Sequence, residues 1–235
     1  MIMNIRNIID QVLECTQAIL ESQINKCTEL KGSHELCSGS DSHLMIPAYS
    51  AGQVLRISEQ ELRFIFVEQL SKVIAEERLY YSVETPTKNR YRFSPTKNKI
   101  ENVKCDPLNF NVSQYVATGI QLNEDDKKLF VSANIDLVLH DENGGRIALI
   151  EFKGNESTIA NYTKDFLKLA YEEKENGQCL KYFIQVLSKN QRKETNKKIQ
   201  KVIDTASKKG IDYRCFYVKG NTVSLMKEYP DTSQK

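Results

Sequence analysis

Two acidic residues and a lysine stand on either side of a predicted chain reversal, and their types suit hydrolysis of a phosphate ester. Asp136 precedes the reversal, and Glu151 and Lys153 follow it. Carboxylate oxygens are the ligands that Mg²⁺ and Mn²⁺ prefer, and both ions keep waters and bind substrate phosphates. A lysine beside such an ion can orient the attacking water and offset the charge that builds on phosphorus.

A β-hairpin must position these side chains. Asn143-Gly144 is the strongest two-residue signal for a type I′ turn. With that turn Asp136 faces Glu151, and directly facing residues have Cβ atoms about 4.5–5.5 Å apart. Lys153 projects from the same face, because side chains alternate along a strand. A structural Glu151–Lys153 ion pair with Asp136 in water is the alternative, since ionic networks often have no function.

A further acid, Glu59, is predicted at the start of a helix that Ser58 and Glu61 open with a capping box. At 100° per residue, the apolar stripe of this helix is centred near the direction of Glu59, so its carboxylate is expected on the core-facing side. An acid in the first turn is also favoured by the helix dipole, so a structural role is the alternative.

Hydrophobic periodicity and turn signals predict the remaining elements. An N-terminal helix and linker are assigned to residues 1–49, and the main domain to residues 50–235. The predicted helices are 2–31, 58–77, 157–175 and 194–209, the last ended by Gly210; the predicted strands are 79–84, 130–140, 146–152, 181–187 and 213–218; residues 86–128 are predicted to be irregular, with one short element at 112–116. This order predicts an α/β protein, an α+β sandwich with a central mixed sheet.

The order of these elements, with Ile-Asp-Leu-Val-Leu, an Asn-Gly turn and Ile-Glu-Phe-Lys inside it, resembles the PD-(D/E)XK nuclease superfamily. The resemblance covers residues 58–190 and implies a restriction-endonuclease-like αβββαβ core. The N-terminal helix is additional to that core. Ile135 stands where the name-giving pattern has proline, which is a departure from the family motif.

The resemblance also implies an active site. Asp136 and Glu151 would bind Mg²⁺ or Mn²⁺, and the backbone carbonyl of Phe152 would be a further ligand. Lys153 would stand in the place of the catalytic lysine, and Glu59 would be the acid of the first helix.

Basic residues are concentrated in two segments. Residues 85–104 hold six bases and one acid, and residues 181–219 hold eleven bases and three acids. The candidate contacts to nucleic-acid phosphates are Lys164, Lys168, Lys193 and Lys197. Solvated helix faces are the alternative, with Lys164 and Lys168 paired to Asp165 and Glu172.

The composition is that of an ordinary globular protein, with 40% hydrophobic and 27% charged residues among 235 and a net charge of +2. No apolar run approaches the ~18 residues needed to cross a bilayer, and no secretion signal is seen, so a cytoplasmic location is expected. Six cysteines without a Cys-x-x-Cys pair predict reduced thiols. Walker, Gly-x-Ser-x-Gly and His-Glu-x-x-His motifs are absent from the sequence.

Three functions follow from these observations. The first is a Mg²⁺-dependent endonuclease acting on DNA, similar to restriction or defence nucleases and expected to work as a homodimer, with the N-terminal helix as the contact. The second is a nucleic-acid-binding module on the same fold without catalysis. The third is a structural or interaction protein in which the acids are only ion-paired.

Overall fold

The computed structural model describes residues 4–30, 36–38, 41–47, 57–92, 130–154, 179–187 and 193–230, with residues 162, 165, 166, 168–170 and 172 between them. The helices in these ranges are α1 (Ile5–Glu29), α2 (Glu59–Val73) and α3 (Lys193–Ser207), and the described residues from 162 to 170 are also helical and are called the 162–170 helix. The strands are β1 (Leu36–Ser38), β2 (Met45–Pro47), β3 (Tyr80–Arg92), β4 (Phe130–His140), β5 (Arg146–Lys153), β6 (Leu180–Leu187), β7 (Ile211–Lys219) and β8 (Thr222–Met226).

A six-stranded mixed sheet forms the centre of the protein. Its strand order is β3-β4-β5-β6-β7-β8, so each strand pairs with the next along the chain. β3, β4 and β5 are antiparallel, β5, β6 and β7 are parallel, and β8 returns antiparallel to β7. The predicted α/β class with a central mixed sheet is confirmed, and the restriction-endonuclease-like core stays a prediction.

Helices cover both faces of the sheet. On one face α1 and α2 pack on apolar side chains of β4 and β5, which include Leu137, Leu139, Ala148, Ile150 and Phe152. On the other face the 162–170 helix and α3 pack on residues that include Val138, Leu149 and Phe183. β5 is therefore buried on both sides, and its polar side chains have to find partners inside the protein.

The first helix packs on its own chain. Its apolar stripe is buried against α2 and β8, and the side-chain amide of Gln17 donates to the carbonyl of Val223 at 2.7 Å. In the described ranges no helix is long and apolar enough to cross a membrane. The domain boundary predicted near residue 50 lies outside the described residues, as does the short element predicted at 112–116.

The turn between β4 and β5 differs from the predicted type I′ turn. The N–H of Gly144 donates to the carbonyl of Asp141 at 3.0 Å, which puts Glu142 and Asn143 at the centre of the turn. Gly144 has a φ of +78°, whereas Asn143 lies outside the positive-φ region that a type I′ turn requires. This is a three-residue loop with glycine in the left-handed position.

Although the predicted turn type is wrong, the register predicted from it is correct between Leu137 and Leu139 of β4. In the loop Asp141 pairs with Gly145, which shifts the register by one residue from the predicted one. An irregularity between Leu139 and His140 shifts it back by one residue. Leu137 consequently faces Ile150. The paired residues end there, so the facing of Asp136 and Glu151 stays a prediction.

Strand β3 is longer than predicted. The predicted strand ends before Thr85-Pro86-Thr87, but β3 continues to Arg92, with a register shift between Pro86 and Arg90. Proline is tolerated there because β3 is an edge strand, where a missing N–H need not break the sheet ladder. Strands β1, β2 and β8, of three to five residues, are not among the predicted elements.

One cysteine departs from the expected reduced state. Cys27, at the buried end of α1, is disulfide-bonded, so the prediction of six reduced thiols is wrong for this residue. Cys15, Cys179 and Cys215 are free thiols.

Candidate active site

The candidate site lies where the end of β5 meets the start of α2. Ser58 and Glu61 form the predicted capping box, with the Ser58 hydroxyl accepting from the N–H of Glu61 at 3.1 Å, and α2 begins at Glu59. Gly154 follows β5, and a Cβ atom there would lie 3.1 Å from the backbone nitrogen of Glu59. The absence of a side chain at Gly154 thus lets the helix start approach the strand end.

Asp136 is held by the backbone of the neighbouring strand. The N–H of Phe152 donates to Oδ2 of Asp136 at 2.8 Å. Burial raises the pKa of Asp136 above its ordinary value, and the hydrogen bond from Phe152 opposes this shift. The side chain is 14% exposed, so the alternative of an Asp136 in open water is wrong.

An arginine that the sequence analysis did not consider also reaches Asp136. Nη1 of Arg63, one turn after Glu59 on α2, lies 3.7 Å from Oδ1 of Asp136 and bonds the carboxylate of Glu84 on β3. Glu84 has a φ of +47°, which is a strained backbone conformation for a residue with a side chain. Arg63 therefore connects β3, β4 and α2 at the rim of the site.

Glu151 is fully enclosed. Its side chain is 1% exposed, and its Oε1 lies 2.7 Å from Nζ of Lys168. Burial raises the pKa of Glu151 well above its ordinary value, and the negative charges of Asp165 and Asp136 raise it further, while Lys168 lowers it. A buried carboxylate of this kind is costly to ionise unless a cation stays beside it.

Lys153 pairs with acids from two helices and not with Glu151, so the alternative of a structural Glu151–Lys153 ion pair is wrong. Its Nζ lies 2.7 Å from Oδ2 of Asp165 and 3.4 Å from Oε2 of Glu59. Burial alone would lower the pKa of Lys153, but Asp165, Glu59 and Glu151 together raise it above its ordinary value. The amine is consequently a fixed cation at neutral pH.

Asp165 is the residue of the cluster that the sequence analysis misjudged. It was placed on a solvated face with Lys168 and Glu172, yet all three residues are buried in the protein. The signal was present, because Asp165 shares the spacing i, i+3, i+4, i+7 with the buried Tyr162, Phe166 and Leu169. An acid inside such a stripe points toward the sheet.

The 162–170 helix is fixed to the sheet by a polar chain. The side-chain amide of Gln185 on β6 donates to the hydroxyl of Tyr162, and the hydroxyl of Tyr213 donates to Oε1 of Gln185 at 2.7 Å. Phe166 stacks on Phe183 with ring centroids 4.1 Å apart. These contacts fix the position of Asp165 relative to β5.

The four lysines predicted to contact nucleic acid have different outcomes. Lys164 lies outside the described residues, and Lys193 begins α3 but its side chain is outside them too. Lys197 is exposed on α3, as a phosphate contact requires. Lys168 is buried in the cluster. Elsewhere in the basic segment 181–219, Lys181 and Arg214 are buried in contacts with their own chain.

The cluster has more acids than bases. It holds the carboxylates of Glu59, Asp136, Glu151 and Asp165 and the cations of Arg63, Lys153 and Lys168. The donors are all oxygens, which suits Mg²⁺ or Mn²⁺. The N–H of Phe152 bonds Asp136, and the role of the Phe152 carbonyl as a metal ligand stays a prediction.

As the side chains are arranged, no three His, Cys, Asp or Glu residues within the described ranges converge closely enough to hold a metal ion. The donor chemistry of Asp136, Glu151 and Phe152 fits such an ion. Oε1 of Glu151, however, is already paired with Nζ of Lys168.

Comparisons with protein-family models, with curated proteins and with solved structures found no match to this chain. Its function has to be argued from the cluster itself.

Proposed function

We propose that the chain is a Mg²⁺- or Mn²⁺-dependent nuclease that hydrolyses phosphodiester bonds in DNA. One observation carries the proposal: Asp136 is hydrogen-bonded to the backbone of Phe152, which lies between Glu151 and Lys153 on β5, and the amine of Lys153 lies in the same cluster of acids. Acids and a lysine in this arrangement are expensive to bury unless they serve a purpose such as holding a cation and a substrate.

Each residue has a role in this proposal. Asp136, Glu151 and the carbonyl of Phe152 would hold the ion, which when bound polarises the phosphate and lowers the pKa of a water. Lys153, kept protonated by Asp165 and Glu59, offsets negative charge on the phosphate oxygens. Glu59 is the most exposed acid of the cluster, so it can orient the attacking water.

Contacts to DNA are proposed along the basic helices. Lys197 is exposed on α3, and Lys164 and Lys193, whose side chains lie outside the described residues, stay proposed contacts. Binding through phosphates predicts an affinity that falls steeply with salt. A symmetric dimer would supply two sites for the two strands of a duplex.

Incubation of supercoiled plasmid with the protein and Mg²⁺ or Mn²⁺ tests the proposal. Wild type should nick or linearise the plasmid, and Lys153→Met should lose at least about 100-fold in rate, the scale seen when one charge-stabilising group is removed. Lys227→Met, at an exposed position away from the cluster, is the matched control. Full activity in Lys153→Met and in Asp136→Asn would refute the assigned roles.

A nucleic-acid-binding module without catalysis is the second candidate. It is favoured by the internal pairing of the charges, since Glu151 pairs with Lys168 and Lys153 with Asp165. Salt-sensitive DNA binding by wild type, with no cleavage under either metal, would select this candidate. If the protein neither binds nor cleaves DNA, the remaining explanation is that the cluster is a structural ion network.

A further inference from the structure

Lys168 occupies the position of a bound cation. Its Nζ lies 2.7 Å from Oε1 of Glu151, 3.1 Å from Oδ1 of Asp165 and 2.8 Å from the backbone carbonyl oxygen of Asn134. These oxygens come from β5, from the 162–170 helix and from β4. An ammonium group has three hydrogens to donate, so this set satisfies it.

The location of the amine excludes two simpler roles. The side chain of Lys168 is 8% exposed, so the amine cannot meet a phosphate on the surface while it stays here. Lys168 also holds more than one acid, and one of them, Glu151, is a ligand of the proposed metal. A group that only paired with Asp165, one turn away on its own helix, would not need to reach across to β5.

We propose that Lys168 is an internal counterion that holds the site together without metal and leaves Glu151 when a divalent ion binds. The inference rests on the proposed function and adds a regulatory step to the same site. A dication on Glu151 would lie close to the ammonium in a buried environment, where like charges repel strongly. The divalent ion that enters neutralises the negative charge of the carboxylates, so the ammonium of Lys168, on a flexible side chain, can leave.

Exchange of the two cations connects metal binding with substrate binding. Lys153 keeps Asp165 and Glu59, so the catalytic lysine stays in place when Lys168 moves. The released amine would reach the opening of the site, where a substrate phosphate arrives. The predicted phosphate contact of Lys168 would then exist only in the metal-loaded protein.

Amine labelling of the wild-type protein tests the exchange without any substitution. Lysines are acetylated with a limiting reagent, with and without Mn²⁺, and the modification of each residue is read by mass spectrometry. Lys168 should be protected without metal and labelled several-fold faster with it, while Lys227 should not change. Mn²⁺ binding that leaves Lys168 protected would overturn the exchange.

Calorimetric titration with Mn²⁺ provides an independent measurement. Removal of the competing charge in Lys168→Met should tighten Mn²⁺ binding by about tenfold, a size common for coupled binding events. Equal or weaker binding by a folded Lys168→Met protein would contradict competition. If that variant does not fold, the double variant Lys168→Met/Asp165→Asn preserves the net charge of the cluster. It should also bind Mn²⁺ more tightly than wild type.

The outcomes separate this inference from the proposed function. Mn²⁺ binding and plasmid cleavage with no change at Lys168 would refute only the exchange. No Mn²⁺ binding by wild type or by either variant would remove the metal site and the proposed function with it.

Discussion

Asp136 and Phe152 are joined across β4 and β5 by a hydrogen bond from the backbone N–H of Phe152 to Oδ2 of Asp136, at 2.8 Å. Backbone pairing of the two strands extends, with one irregularity between Leu139 and His140, as far as Leu137 and Ile150, and beyond that pair the side chain of Asp136 accepts the backbone N–H of Phe152. The orientation of the Asp136 carboxylate is consequently set by the hairpin register.

Substitution of Asp136 should separate its structural role from its chemical one. Asp136→Asn keeps an oxygen that can accept from Phe152, whereas Asp136→Ala leaves that N–H unpaired, at a cost of about 1–3 kcal/mol. We expect urea denaturation to show a stable Asn variant and a destabilised Ala variant, with plasmid cleavage lost in both. Equal stability of the two variants would contradict a role for this hydrogen bond.

The Lys153–Asp165 pair should show measurable coupling. Removal of either partner leaves a buried charge, so a double-mutant cycle with Lys153→Met and Asp165→Asn should give about 0.5–3 kcal/mol of interaction in urea unfolding. The matched control is the exposed pair of Arg78 and Glu142, where coupling should be close to zero. Indistinguishable values for the two pairs would mean that burial does not strengthen the site pair.

Stability should respond to pH through Glu151. Its pKa is raised in the folded protein above the ordinary value of 4.5, mainly by burial, so folding favours the protonated form. The contribution of Glu151 to stability is therefore fully present below 4.5 and is lost as pH rises through the raised folded pKa. Without metal, the stability of Glu151→Gln relative to wild type should therefore increase as the pH rises through this pKa. Urea unfolding at a series of pH values would show this increase. A constant difference at all pH values would contradict this.

Gly154→Ala should affect activity more than stability. The new Cβ would lie 3.1 Å from the backbone nitrogen of Glu59, so the start of α2 has to move by a few tenths of an ångström. We expect a roughly tenfold or larger loss of plasmid cleavage, because small displacements of catalytic groups are costly. Gly220→Ala is the contrast: it meets no atom within 4 Å but strains a φ of +60°, so it should lower stability and leave cleavage unchanged.

Local signals in the sequence were sufficient for most elements. The capping box of Ser58 and Glu61, the left-handed Gly210 after α3 and the apolar run of β5 each depend on neighbours in sequence, and each is present in the structure. The pairing of Leu137 with Ile150 also agrees with the predicted register, because the turn is one residue away from the predicted one and an irregularity between Leu139 and His140 compensates for it.

The partners inside the cluster could not be predicted in the same way. Lys153 finds Asp165 and Lys168 finds Glu151 only after the 162–170 helix has docked on the sheet, and spacing along the chain does not encode that geometry. The left-handed Glu84 and its bond to Arg63 depend on the path of an edge strand with an internal register shift. Such contacts are decided by packing between elements.

The contact between Gln17 and Val223 joins residues 206 positions apart, so it links the first helix to the last strand of the sheet. During synthesis α1 leaves the ribosome before β8, which is one of the elements it packs on and is made about two hundred residues later. Until then the apolar stripe of α1 lacks part of its cover and is open to chaperones or to aggregation. Premature termination that removes β8 would leave the apolar stripe of α1 partly exposed to solvent and prone to aggregation.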